Sequence, residues 1–131
     1  MVYIMMFVSV LIGFFFCTGL LVGNGESILF TSGTLINTRL WGCLLLITAS
    51  CAEVGFFFKN FRLISYGGLG GFMMWLMAAI DLAISGHAYA LVTFALLHML
   101  FHGYVYLSSS LGVLEREAIY RTLLDDDDGV L

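Results

Sequence analysis

Proline is absent from all 131 residues, and charged side chains make up only 11% of the chain, against roughly 25% in an average soluble domain. So little charge excludes an ordinary soluble globule. The same composition, with 15 Gly and long apolar runs, also excludes intrinsic disorder, a collagen-like repeat and a disulfide-stapled secreted domain. Basic residues are scarce: five Lys and Arg stand against nine Asp and Glu, a formal net charge of -4. Four of those acids form the terminal run Asp125 to Asp128, so the rest of the chain is nearly balanced, and it carries no basic footprint for nucleic acid. Cysteine is sparse as well. Cys17, Cys43 and Cys51 lie in apolar stretches without CxxC or any other zinc spacing, so all three are expected to be packing residues.

What is present is hydrocarbon. Hydrophobic residues are 61% of the chain and the mean hydropathy is +1.03. A single core of this size leaves much of its surface exposed, so it has no room to hide so much apolar side chain from water. The solvent for most of this chain is lipid.

Val2 to Val22 is nearly unbroken apolar sequence without a charge, long enough for the roughly 20 residues that a span needs. It lacks the basic n-region and small-x-small cleavage site of a signal peptide, so it is expected to be a retained first span. Residues Gly23 to Thr38, rich in Gly, Ser, Thr and Asn with one acid at Glu26, read as an ordered interfacial loop or short re-entrant piece. Further spans are expected over about 39–58, 63–85 and 88–107, separated by the basic turn Lys59-Asn60-Phe61-Arg62 and by Gly86-His87. Short connections force neighbours to run antiparallel. A β-barrel would need alternating polar and apolar residues, and these runs are continuously apolar.

The expected fold is therefore all-α: an integral membrane bundle of four antiparallel transmembrane helices (1–110), followed by a C-terminal amphipathic helix and acidic tail (111–131). Leu111 to Leu124 either continues the fourth span or lies on the membrane surface. Lys59 and Arg62 assign their loop to the cytoplasmic or equivalent side, together with both termini. Arg116 and Arg121 agree, and Arg39 argues the other way.

Polar residues in hydrocarbon are costly and ask for partners. At a rise of about 1.5 Å per residue, Glu53 lies about 21 Å below Arg39, and His102 about 22 Å below His87. His98 and Tyr106 flank His102 by one turn on the same helix face. An inner polar cluster of Glu53, His98, His102 and Tyr106 is the result. Asp81, about 27 Å above Leu63, rises toward Arg39 and His87 as an outer-face cluster, most simply a structural salt bridge. Gly67 with Gly71, and Cys51 with Gly55, are small-xxx-small pairs that let helices pack closely, or that offer a surface for self-association. Trp41, Trp75 and the tyrosines read as interfacial anchors and packing.

The first functional expectation is a non-catalytic multi-pass membrane protein, a structural or accessory subunit of a membrane assembly or of a homo-oligomer, whose partners are the bilayer, copies of itself or other membrane subunits. An alternative is a proton or ion conduit, or a phage-holin-like pore former, using Glu53, His98 and His102. A third is an anchor subunit for haem, a metal ion or a quinone in a respiratory-type complex. His98 and His102, with Glu53, are candidate ligands of a metal ion, but the two imidazoles project from one side of one helix and do not bracket a haem. No cofactor at all is the simplest expectation. P-loop, GxSxG and HExxH patterns are absent, and so is any sign of a nucleophile.

Overall fold

A computed structural model describes residues 2–19, 22–23, 26–27, 38–84, 86 and 89–127. Four helices account for nearly all of them: α1 (Val2–Thr18), α2 (Thr38–Phe57), α3 (Phe61–Ile84) and α4 (Tyr89–Asp127). Between α1 and α2, β1 (Val22–Gly23) pairs antiparallel with β2 (Glu26–Ser27), Val22 opposite Ser27 and Gly23 opposite Glu26. The rest of the expected interfacial loop, residues 24–25 and 28–37, lies outside the described residues.

Three stretches are long and apolar enough to cross a membrane: Arg39–Phe57, Phe61–Ile84 and Tyr89–Ile119. Helix α1 is also apolar but shorter. It stops at Thr18 rather than at the expected Val22, because Gly19 adopts φ +76° and takes the backbone out of the helix. Its 17 residues make a rod of about 25 Å. Hydropathy counts Gly19 to Val22 as more apolar sequence, whereas backbone geometry at one glycine decides where the hydrogen-bond ladder ends.

The turn between α2 and α3 is built from local chemistry. Lys59 sits at φ 54°, Asn60 N donates to the Gly55 carbonyl at 2.8 Å and Lys59 N to the Phe56 carbonyl at 3.2 Å. This is the Schellman pattern, with lysine where glycine is usual. Asn60 then caps α3, its Oδ1 accepting from Arg62 N at 3.1 Å and Leu63 N at 3.3 Å. Two helix ends are thereby satisfied within three residues.

Helix α4 runs without a break through Ser108-Ser109-Ser110 and on to Asp127, so of the two courses open to 111–124 the chain takes the continuing one. The serines do not stop it because their hydroxyls bond back into the helix: Ser109 Oγ donates to the Val105 carbonyl at 2.7 Å and Ser108 Oγ to the same carbonyl at 3.1 Å. Ser110 instead shares a 2.8 Å hydrogen bond with Ser65 of α3. Further along, Arg62 pairs with Glu117 at 3.1 Å and Arg116 stacks 4.6 Å over the Phe61 ring. These contacts tie the extension to the start of α3.

Helix α1 packs on α2, α2 on α3 and α3 on α4. One core cluster centres on Phe16, Trp41, Trp75 and Leu82; a second centres on Met6, Ile64 and Val105. Trp41 and Trp75 are buried in the first, edge to face at 5.5 Å, not at its rim. Trp41 Nε1 donates to the Met74 carbonyl at 2.9 Å.

The expectation that all three cysteines are free packing residues is corrected. Cys17 and Cys43 form a disulfide between α1 and α2, their Cα atoms 4.8 Å apart, while Cys51 is free. The reason is the neighbouring Gly42: a Cβ there would run into the backbone of Phe16 and Cys17. With no side chain at 42, the two helix backbones approach closely enough for the bridge. Twenty-six residues of sequence separation and the lack of any cysteine motif hide this pairing from the linear sequence.

Candidate functional site

Within its apolar stretch α4 carries two buried imidazoles. His102 is 0% exposed and His98 2%. Helix α4 presents them one turn apart, but each has its own surroundings. His102 turns across to α1, where its Nε2 shares a 3.0 Å hydrogen bond with the buried Ser9 Oγ. Its ring occupies the space that a side chain on Gly71 of α3 would need. Phe101 lies edge-on to it at 5.6 Å. One imidazole thus touches three helices.

His98 uses its Nδ1 to donate to the Phe94 carbonyl one turn earlier, at 3.1 Å. Its ring lies between Trp75 at 4.6 Å and Phe94 at 4.2 Å, centroid to centroid. Polar atoms remain over. His98 Nε2, His102 Nδ1, Trp75 Nε1 and Glu53 Oε1 are buried without a hydrogen-bond partner, an arrangement that in hydrocarbon has a cost.

Glu53 does not join the histidines through hydrogen bonds. Both ring nitrogens of each histidine are accounted for: one bonds Ser9, one bonds Phe94 and two have no partner. Glu53 follows Ala52, which meets Gly67 of α3, whereas His102 meets Gly71 one turn further along that helix. The His102 ring is turned toward α1 and α3. Tyr106 is half-buried and meets α3 through its backbone, which lies against Gly68. Among the described residues no three His, Cys, Asp or Glu side chains are grouped to hold a metal ion. The candidate ligand set of His98, His102 and Glu53 is not such a group, and the two imidazoles hold separate partners, Phe94 and Ser9.

At the other end, Asp81 is buried on α3 and Arg39, in the first turn of α2, is an exposed residue whose guanidinium lies against Gly19. His87 lies outside the described residues. The small residues are occupied within the chain: Gly67 meets Ala52 and the Thr48 carbonyl of α2, Gly71 meets His102, and Gly55 meets Leu63 and Ile64. The glycine-rich face of α3 is thus turned to α2 and α4, not outward to another molecule. Cys51, one residue from Ala52 on α2, is half-buried.

Ser9 is the residue that sequence reasoning passed over. Its signal was a hydroxyl inside an apolar run, four residues before Gly13, itself pressed against the Leu46 backbone of α2. No known protein family, curated protein or solved structure matches the chain.

Proposed function

We propose that this is a non-catalytic, multi-pass membrane protein, an up-and-down bundle of four antiparallel transmembrane helices that serves as a structural or accessory subunit of a membrane assembly or of a homo-oligomer. The observation that carries this reading is His102. A fully buried imidazole bonded to Ser9 and packed into the notch at Gly71 is a strut between helices. The antiparallel course is supported by the order of contacts: on α2 and α3, residue 55 meets 64, 52 meets 67 and 48 meets 70; on α3 and α4, 68 meets 106 and 71 meets 102. Large apolar side chains such as Phe7, Ile47, Ile80 and Leu100 face outward on all four helices, as a lipid-facing exterior requires.

The disulfide supports the orientation by an independent route. Disulfides persist on oxidising sides of membranes, and Cys17–Cys43 joins the end of α1 to the start of α2, away from Lys59 and Arg62. With the basic turn on the cytoplasmic side, the bridge falls on the opposite, oxidising side. Purification in mild detergent, with mass measured by native mass spectrometry, tests the proposal. A fixed multiple of 14.5 kDa, or a fixed stoichiometry with other chains, is the expected result. A monomer that moves ions by itself would overturn it.

The partnerless nitrogens of His98, His102 and Trp75 favour a second reading, a proton or ion conduit, since such atoms are ready acceptors and donors for water. Flux in liposomes that Glu53→Gln abolishes would support it. No flux at any pH would discard it.

A further inference from the structure

The region around Arg62, where the α2–α3 turn meets the extension of α4, has a chemistry the helix bundle does not use. Two open clefts flank this side chain. One, of about 380 Å³, is lined by Phe58, Lys59, Phe61, Arg62, Arg116 and Glu117, among others. The other, of about 390 Å³, is lined by Arg62, Ser65, Tyr66, Ser110, Leu114 and Glu117, with Val113. Three cations and one carboxylate border the first cleft, so its charge is positive. The second is mostly apolar in surface, although Arg62, Glu117 and the Ser65–Ser110 pair also line it, with Tyr66 at 70% and Leu114 at 62% exposure offering hydrocarbon and a ring to whatever lies alongside.

We propose that this pair of clefts is a binding site for an anionic glycerophospholipid, its phosphate held by Lys59, Arg62 and Arg116 and an acyl chain lying along Tyr66 and Leu114. The argument has three parts. The first is position: Arg62 stands at the end of a long apolar helix, the level at which headgroups meet hydrocarbon, with Phe57 and Phe58 exposed beside it. The second is charge: arginine presents planar paired donors that suit phosphate oxygens, and basic clefts between transmembrane helices on the cytoplasmic side recognise anionic headgroups. Arg62 is held by Glu117 only through a pair whose side chains are 70% and 46% exposed, a weak tether. The Arg62 guanidinium is therefore free to turn to a phosphate. Arg116, stacked on Phe61, is already fixed in place with its ring-distal donors available. The third is shape: the two clefts adjoin, sharing Arg62, Val113 and Glu117, and the cations gather in one while the other is the more apolar, as the two halves of a lipid require. A soluble phosphate uses only the first of them.

The inference rests on the reading that these helices cross a bilayer, and its test separates the two. The full chain is reconstituted in phosphatidylcholine vesicles carrying a few per cent of spin-labelled phosphatidylglycerol or spin-labelled phosphatidylcholine, and the motionally restricted fraction is measured by electron spin resonance. A several-fold preference for phosphatidylglycerol is expected, abolished by Arg62→Gln with Arg116→Gln and increased by Glu117→Gln, which removes the competing carboxylate. Arg121→Gln removes equal charge farther along α4 and should leave the preference unchanged. If Arg121→Gln lowers it as much, the attraction is diffuse and the site is refuted. If soluble glycerol phosphate displaces the label at equal concentration, the acyl cleft is unused and the lipid assignment fails. Circular dichroism of each variant confirms an unchanged helix content. Should Lys59→Gln prove silent while the arginine pair is also silent, the proposal is overturned. Protein that resists alkaline carbonate washing yet shows no lipid preference refutes the headgroup site alone; protein that washes off refutes the membrane reading beneath it.

Discussion

Ser9 Oγ and His102 Nε2 are 3.0 Å apart, both buried, although 93 residues separate them in the chain. The bond joins α1 to α4, and it converts an imidazole in an apolar interior from a liability into a crosslink. Helix association in lipid has no hydrophobic drive, so such bonds and close packing carry the burden.

Removing either partner should therefore weaken the bundle unequally. Ser9→Ala deletes one hydrogen bond and is expected to cost about 1 kcal/mol, within the range measured for interhelical bonds in membranes. His102→Ala also leaves a hole over Gly71, and a loss on the order of 3 kcal/mol is expected from large-to-small changes in cores. A double-mutant cycle read by detergent unfolding should find the two losses coupled; strict additivity would mean that the bond contributes nothing.

The glycine contacts rank a second set of substitutions. Gly71→Ala and Gly67→Ala each force a methyl group into an occupied position, a histidine ring in one case and α2 backbone in the other. Losses of about 1–3 kcal/mol are expected, as for other overpacked cores. At Gly112 the added methyl group would stand 3.3 Å from the Phe61 ring, which is able to tilt, so Gly112→Ala should cost well under half as much. Thermal unfolding in one detergent for all three variants checks the order, and equal midpoints would contradict it.

The Cys17–Cys43 bridge closes a loop that, in the chain-entropy account, is worth about 3–4 kcal/mol. Cys17→Ser and Cys43→Ser should destabilise equally, and reductant should lower the stability of the parent protein to theirs. Maleimide titration of denatured protein should label Cys51 alone before reduction and all three cysteines afterwards. Three reactive thiols without reductant would show that the bridge does not form.

Sidedness has its own test. In sealed vesicles of known orientation, Lys59→Cys and Gly86→Cys should react with a membrane-impermeant thiol reagent from opposite faces. Cys51, half-buried within α2, is the background to subtract. Labelling of both from one face would refute the odd number of crossings between them.

Legibility differed from feature to feature for physical reasons. The apolar stretches of α2, α3 and α4 stood out in the sequence because the bilayer acts on each segment separately, rewarding length and apolarity alone. The end of α1 did not, since Gly19 is as compatible with hydropathy inside a span as outside it. Whether α4 continued past its three serines was open in the sequence; Ser108 and Ser109 found carbonyls one turn back, Ser110 found Ser65, and the helix continued. Cys17 and Cys43 carried no motif because their pairing depends on Gly42 of another helix. For the polar residues, spacing along one helix set His98 and His102 a turn apart but did not give their partners: Ser9 lies 93 residues from His102, on α1.

By itself the sequence located the three apolar stretches long enough to cross a membrane, because residue type and length alone define them. The tertiary structure alone decided how each rod is rotated about its axis: His102 onto Ser9 and Gly71, Cys17 onto Cys43, His98 onto Trp75. Rotation is set by which small residues let neighbouring backbones approach, and that is a property of pairs of helices brought together.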